Sequence, residues 1–192
     1  MTGKSNIRPG NIRDAPLIAR LANEAAEGMP LHLWRAMGEP GQDPWQVGIR
    51  RAGSEDAKIS YRNAWIAEVD GRSVGCLIAY RQPASCEAIP EDTPAIFLPL
   101  LELEREAPGT GYVYVLCTLP EARGMGIGTS LLQFAERYRG PRGMSLIVSD
   151  ANLGARRLYE RCGYRAVASR PMVKNGWQNP GTAWMLMIKT GA

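Results

Sequence analysis

The stretch Arg123-Gly124-Met125-Gly126-Ile127-Gly128-Thr129 is where residue type and spacing carry chemistry most plainly. Three glycines at alternate positions remove side chains from a short arc, and Leu131, Leu132, Ala135 and Tyr138 follow at helical spacing. Such a turn directs several backbone N–H groups outward at the positive end of a helix. That is an anion site, and one suited to a pyrophosphate. The bland alternative is a tight strand–helix turn with no ligand. Other chemistry is sparse. His32 is the only histidine, so neither a zinc site nor a Ser-His-Asp triad is expected, and a histidine base would have to be His32 itself. Cys76, Cys86, Cys117 and Cys162 lack Cys-x-x-Cys spacing and read as free buried thiols. No metal is expected.

The elements that must position this turn follow from pattern. Tyr112 to Thr118 is β-branched, aromatic or aliphatic, as a buried strand requires, and it begins near Gly111. The helix after the turn runs to about Arg139 and stops at Gly140-Pro141. Met144 to Val148 is then a strand placed parallel to the central one by the intervening helix. Asp150 or Asn152 caps a helix with Ala155, Leu158, Tyr159 and Cys162 along one face. Tyr164 to Ala168 and Ala183 to Ile188 close the fold around the turn-rich stretch Asn175 to Gly181.

Upstream, Ser5 to Pro9 reads as a short strand, followed by a helix that Asn11 or Asp14 caps and that buries Leu17, Ile18, Leu21, Ala22 and Ala25. Leu31 to Arg51 reads as two short helices around Gly38-Glu39-Pro40-Gly41. Its tryptophans, Trp34 and Trp45, are either core or one wall of an acceptor pocket. Asp70-Gly71 between Ala64–Val69 and Val74–Tyr80 marks a β-hairpin. Gln82 to Pro94 is a loop, and Ala95 to Arg105 is a helix carrying Glu102 and Glu104, with Glu106 just past its end. No repeat or linker interrupts the chain. The expectation is one mixed α/β domain over residues 1–192.

At 192 residues and 45% hydrophobic, the chain can bury a sizeable core. It has no apolar run of about 18 residues, so no membrane span is expected. Met1 to Asn11 is polar and lacks a signal-peptide core, which reads as cytoplasmic. A net charge of +4 is too small to argue for nucleic-acid binding.

Three phosphate-binding motifs compete for the glycine-rich turn. A Walker loop needs a lysine that is absent. A Rossmann fingerprint needs a small residue where Thr129 stands, and the residues after Gly128 are too few to complete a doubly wound domain. In contrast, Arg123 to Gly128 resembles the Arg/Gln-x-x-Gly-x-Gly/Ala signature of the GCN5-related N-acetyltransferases. The preceding Leu116 to Glu121 is similar to that family's strand exit. Asn152-x-x-Ala155-x-x-Leu158-Tyr159-x-x-x-Gly163-Tyr164 resembles its second segment, with tyrosine as the last aromatic.

The resemblance implies a central mixed sheet with a splayed parallel strand pair, flanked by helices. It implies acetyl-CoA as co-substrate and an amine as acceptor, attacked directly in a ternary complex. The backbone from Arg123 through Gly124, Met125, Gly126, Ile127 and Gly128 to Thr129 would hold the pyrophosphate. Arg123 would shape the loop or lie near phosphate. Leu116, Cys117 and Thr118 would contact pantetheine at a strand bulge, with one N–H there stabilising the oxyanion. Tyr159 would protonate the leaving thiolate, and Asn152 would bind pantetheine amides if free of capping duty. The central strand carries no carboxylate, which rules out a base on that strand. Glu102 and Glu104, just before it, are candidates to act directly or through water, the alternative for each being a solvated helix face. Tyr112 and Tyr114 are further polar candidates, expected on opposite faces of the strand. A small-molecule amine is the expected acceptor. Alternatives are a protein or peptide amine, an RNA acceptor, or a non-catalytic acyl-CoA-binding module. A homodimer is compatible with the family.

Overall fold

The computed structural model describes residues 5–191. It resolves into two compact units: the chain up to Ile78 with Val115–Leu132, and Ala79–Tyr114 with the chain from Gln133 onward.

In the first unit, β1 (Ser5–Pro9) leads into a 3-10 turn at Ile12–Asp14 and α1 (Ala15–Ala25). Asn11 and Asp14 form a reciprocal capping box around that turn. Ile18, Ala19, Leu21 and Ala22 of α1 are buried, while Leu17 and Ala25 are only half-buried. Helices α2 (Met29–Met37) and α3 (Pro44–Ala52) pack with α1 and with each other. Trp34 is buried and meets half-buried Trp45 edge-on at 5.9 Å. Gly48 lies so close beneath it that an added Cβ would come within 2.4 Å of the Trp34 ring. β2 (Ala64–Val69) pairs antiparallel with β1 and with β3 (Arg72–Arg81), through the expected Asp70-Gly71 turn.

In the second unit, α4 (Leu98–Arg105) packs on strands of the sheet through buried Leu103. β4 (Gly111–Thr118) begins here and pairs parallel with β5 (Met144–Ser149). Between them in sequence runs α5 (Ile127–Ala135), ended by a 3-10 turn, Glu136–Tyr138. α6 (Leu153–Arg161), β6 (Arg165–Pro171) and β7 (Ala183–Lys189) complete the chain. β7 pairs antiparallel with both β5 and β6. Trp177 stacks on Trp184 at 5.9 Å and pins the connection between β6 and β7. The strand order is β1-β2-β3-β4-β5-β7-β6, a seven-stranded mixed sheet. Among the described residues, no helix is long and apolar enough to cross a membrane.

Candidate active site

The glycine-rich turn sits where β4 gives way to α5. Leu119 N–H donates to Val74 O at 2.8 Å, holding the end of β4 on β3. At the other end, Gln82 N–H donates to Thr110 O. Between these two anchors β4 holds one residue more than β3, the mark of a β-bulge. Leu116, Cys117 and Thr118 are all half-buried. Pro120–Ala122 then forms a 3-10 turn and Arg123 is extended. Gly124 and Gly126 adopt φ of 79° and 81°, a left-handed backbone that side chains disfavour. A Cβ on either would find open space.

Ser130 N–H returns to Gly126 O at 3.0 Å as α5 begins. Before it, the N–H groups of residues 124–129 meet no acceptor among the described residues. These are the orphan donors of a helix start, extended by the turn before it. They form the cradle that the glycine spacing predicts.

Charged side chains adjoin this cradle. Arg123 Nη2 lies 3.4 Å from Glu24 Oε2, and Arg20 Nε lies 3.0 Å from Glu24 Oε1. Burial, with Glu24 adding to it, pushes the Cys117 thiol up to about 11; the positive charge of Arg123 opposes the rise. Cys117 is therefore protonated near neutral pH and a poor nucleophile. Among the cysteines, only Cys76 is fully buried; Cys86, Cys117 and Cys162 are half-buried, and all four are free thiols.

The second unit holds the remaining candidates. The β4–β5 ladder runs from Gly111–Met144 to Val113–Leu146 and covers only three pairs. Asn152, rather than Asp150, caps α6: its Oδ1 accepts from Ala155 N–H at 3.1 Å. That oxygen serves the helix cap, while the amide nitrogen of Asn152 remains a donor for a ligand. Asp150 instead accepts from the Thr182 hydroxyl and backbone N–H. Tyr159 is the one buried side chain on α6, with its ring 6.1 Å from that of Tyr164.

The two glutamates part company. Glu102 is exposed and paired with Arg170 at 2.9 Å, and the same arginine binds Glu106. Glu104 is half-buried, and its charge bears on Tyr112 and Tyr80. Tyr112 and Tyr114 lie on the same face, with ring centroids 6.2 Å apart, contrary to the expectation of opposite faces. The reason is the strand period of two, which places residues i and i+2 together. Tyr80 joins them at 5.6 Å and 6.1 Å. Burial pushes the acidities of Tyr80 and Tyr112 well away from ionisation, and Glu104 adds to it.

Sequence reasoning missed Glu24 and Tyr80. Glu24 lies one helical turn after Arg20, and nothing local in the sequence connects it to Arg123. Tyr80 was legible as the end of a strand but not as a neighbour of Tyr112. Among the described residues, no group of three or more His, Cys, Asp or Glu side chains is arranged to hold a metal ion.

Comparison with known proteins agrees with this geometry. A mycothiol acetyltransferase from Acidimicrobium ferrooxidans is 28% identical over 148 residues, covering 75% of this chain and 40% of that protein. An uncharacterized N-acetyltransferase from Methanocaldococcus jannaschii is 30% identical over 129 residues, covering 65% of this chain and 64% of that protein. The chain thus spans less than two-thirds of the length of either curated relative. An N-acetyltransferase from Staphylococcus aureus Mu50 has a similar fold, with a TM-score of 0.64 at 18% identity over 95% of this chain and 99% of that one. The family model described as Acetyltransferase (GNAT) family matches residues 31–164, a span that takes in the glycine-rich turn, Asn152 and Tyr159. The chain belongs to the GNAT acetyltransferase family.

Proposed function

We propose that this protein is an acetyl-CoA-dependent N-acetyltransferase that moves an acetyl group to a primary amine of a small molecule by direct attack. The observation that carries the reading is the run of N–H groups at residues 124–129, which meet no acceptor among the described residues, beneath open space at Gly124 and Gly126. Charge-assisted bonds from these amides suit the donor's diphosphate. Leu116, Cys117 and Thr118 supply backbone groups to the pantetheine arm, and one N–H of this segment stabilises the oxyanion. Asn152 contributes its amide nitrogen to the same arm.

Tyr159 donates a proton to the sulfur as the carbon–sulfur bond breaks. An ordinary phenol near pKa 10 is matched to a thiol near 8.5 when the two are hydrogen-bonded. Glu104 takes the proton from the acceptor ammonium, directly or through water. Glu102 is the weaker candidate because Arg170 engages it. The raised Cys117 pKa supports direct attack over an acyl-cysteine intermediate.

The test is a panel of amines with acetyl-CoA, followed by thiol release, on the unaltered chain and on Tyr159→Phe. The variant is expected to lose about 100-fold or more in kcat while acetyl-CoA affinity stays within about twofold. Turnover unchanged in Tyr159→Phe would remove the tyrosine from its role. Acetyl-CoA binding without turnover on any amine would favour a non-catalytic module, and no binding by calorimetry would end the proposal.

A further inference from the structure

Two arginines share one carboxylate beside the glycine-rich turn. Glu24 takes Arg20 on one oxygen at 3.0 Å and Arg123 on the other at 3.4 Å. Arg123 follows the end of β4 in the chain, and its guanidinium reaches α1 at Glu24. The three charges sum to one uncompensated positive charge, placed where the chain enters the run of N–H groups without acceptors. The arginines are open to solvent, with side chains 51% and 60% exposed, whereas Glu24 is 26% exposed. An exposed pair at 3.4 Å is weak and screened by salt. A phosphate, with more charge and oxygens matched to the guanidinium fork, is a stronger partner for either arginine.

We infer that Glu24 holds the place of a donor phosphate. When the diphosphate settles on the turn, Arg123 and Arg20 exchange the Glu24 oxygens for phosphate oxygens. Arg20 thereby becomes a second phosphate-binding side chain on α1, and Glu24 sets donor affinity by competing for both. The inference rests on the acyl-CoA reading above, and it adds two residues that lie outside the family signature.

Calorimetric titration with acetyl-CoA, and separately with S-acetylpantetheine, which lacks the diphosphate, tests it. Glu24→Gln is expected to bind acetyl-CoA about two- to fivefold more tightly, with a steeper loss of affinity as salt rises. Arg20→Gln is expected to bind it about threefold more weakly, with a shallower salt dependence. Neither substitution should change S-acetylpantetheine binding. Unchanged or weaker acetyl-CoA binding in Glu24→Gln, or equal effects on both probes, overturns the inference while leaving the acyl-CoA reading intact. If the unaltered chain binds neither probe, that reading fails first. Thermal melting of both variants, expected within about 2 °C of the unaltered chain for exposed positions, separates affinity from folding.

Discussion

Two polar regions of the first unit handle their hydrogen bonds in opposite ways. Around Arg8, each charged partner is matched. Its guanidinium binds Asp14 through two nitrogens at 2.7 and 2.9 Å, Glu68 at 2.8 Å and Ser73 at 3.1 Å. Asp14 also accepts the Asn11 N–H at 2.8 Å. At residues 124–129, by contrast, successive N–H groups meet no acceptor among the described residues, and a Cβ on Gly124 or Gly126 would find open space. A network whose partners are all internal has nothing left to offer a ligand and serves to join β1, β2 and α1. A run of donors with none is costly unless water or a ligand meets it. The difference sets an internally satisfied network against the proposed donor site within one unit, and it is open to test from both sides.

The largest effect should come from the closed network. Asp14→Asn leaves Arg8 half-buried without its bidentate partner and is expected to lower unfolding free energy by about 3 kcal/mol, measured by denaturant titration. Acetyl-CoA affinity should not change. The same pair sets an acid limb. Burial favours the protonated form of Asp14, but Arg8 and the Asn11 amide outweigh it and hold the carboxyl below its ordinary value. A lowered folded pKa gives a contribution that is complete above the unfolded value of about 3.9 and vanishes as pH falls through the lower folded value. The unaltered chain should therefore lose stability below about pH 4 more steeply than Asp14→Asn. Parallel curves for the two proteins would show that the network is not what it appears from its distances.

The open turn should respond in the reverse sense. Gly126→Val forces a branched side chain into a left-handed backbone, at a cost of about 1–2 kcal/mol in stability. Because the added atoms occupy the space above the cradle, acetyl-CoA should bind at least about tenfold more weakly, corresponding to one charge-assisted bond lost. A variant that melted early but kept full affinity would mean that the orphan amides are not the donor grip.

What the sequence made legible divides along the same line. The glycine-rich turn is local, set by residues within a few positions of one another, so type and spacing reveal it. The sequence narrows the α6 cap to Asp150 or Asn152, and the structure decides for Asn152. The split between Glu102 and Glu104 is not local. It depends on the rotation of α4 and on Arg170, far along the chain, which engages one glutamate and not the other. Glu24 meets Arg123 across 99 positions, and a surface ion pair imposes no pattern on the residues between. Tyr112 and Tyr114 were legible in kind but were expected on opposite faces, although the strand period of two places them together.

The smallest expected effect concerns a third kind of polar group, buried and unmatched. The Tyr164 hydroxyl has no hydrogen-bond partner among the described residues, although the residue is 2% exposed. Burial, with Glu136 and Tyr159 adding to it, keeps this phenol neutral far above physiological pH. Unlike the amides of residues 124–129, this polar atom is itself buried. Removing the oxygen should then be favourable. Tyr164→Phe is expected to raise stability by about 1 kcal/mol, read from the thermal midpoint, with kcat unaltered because the ring that packs on Tyr159 is kept. A loss of stability would show that an internal water satisfies the hydroxyl. A loss of kcat with stability intact would instead assign Tyr164 to the positioning of Tyr159. In either case, exposure to a ligand, and not the mere lack of a partner, is what separates a binding donor from a buried defect.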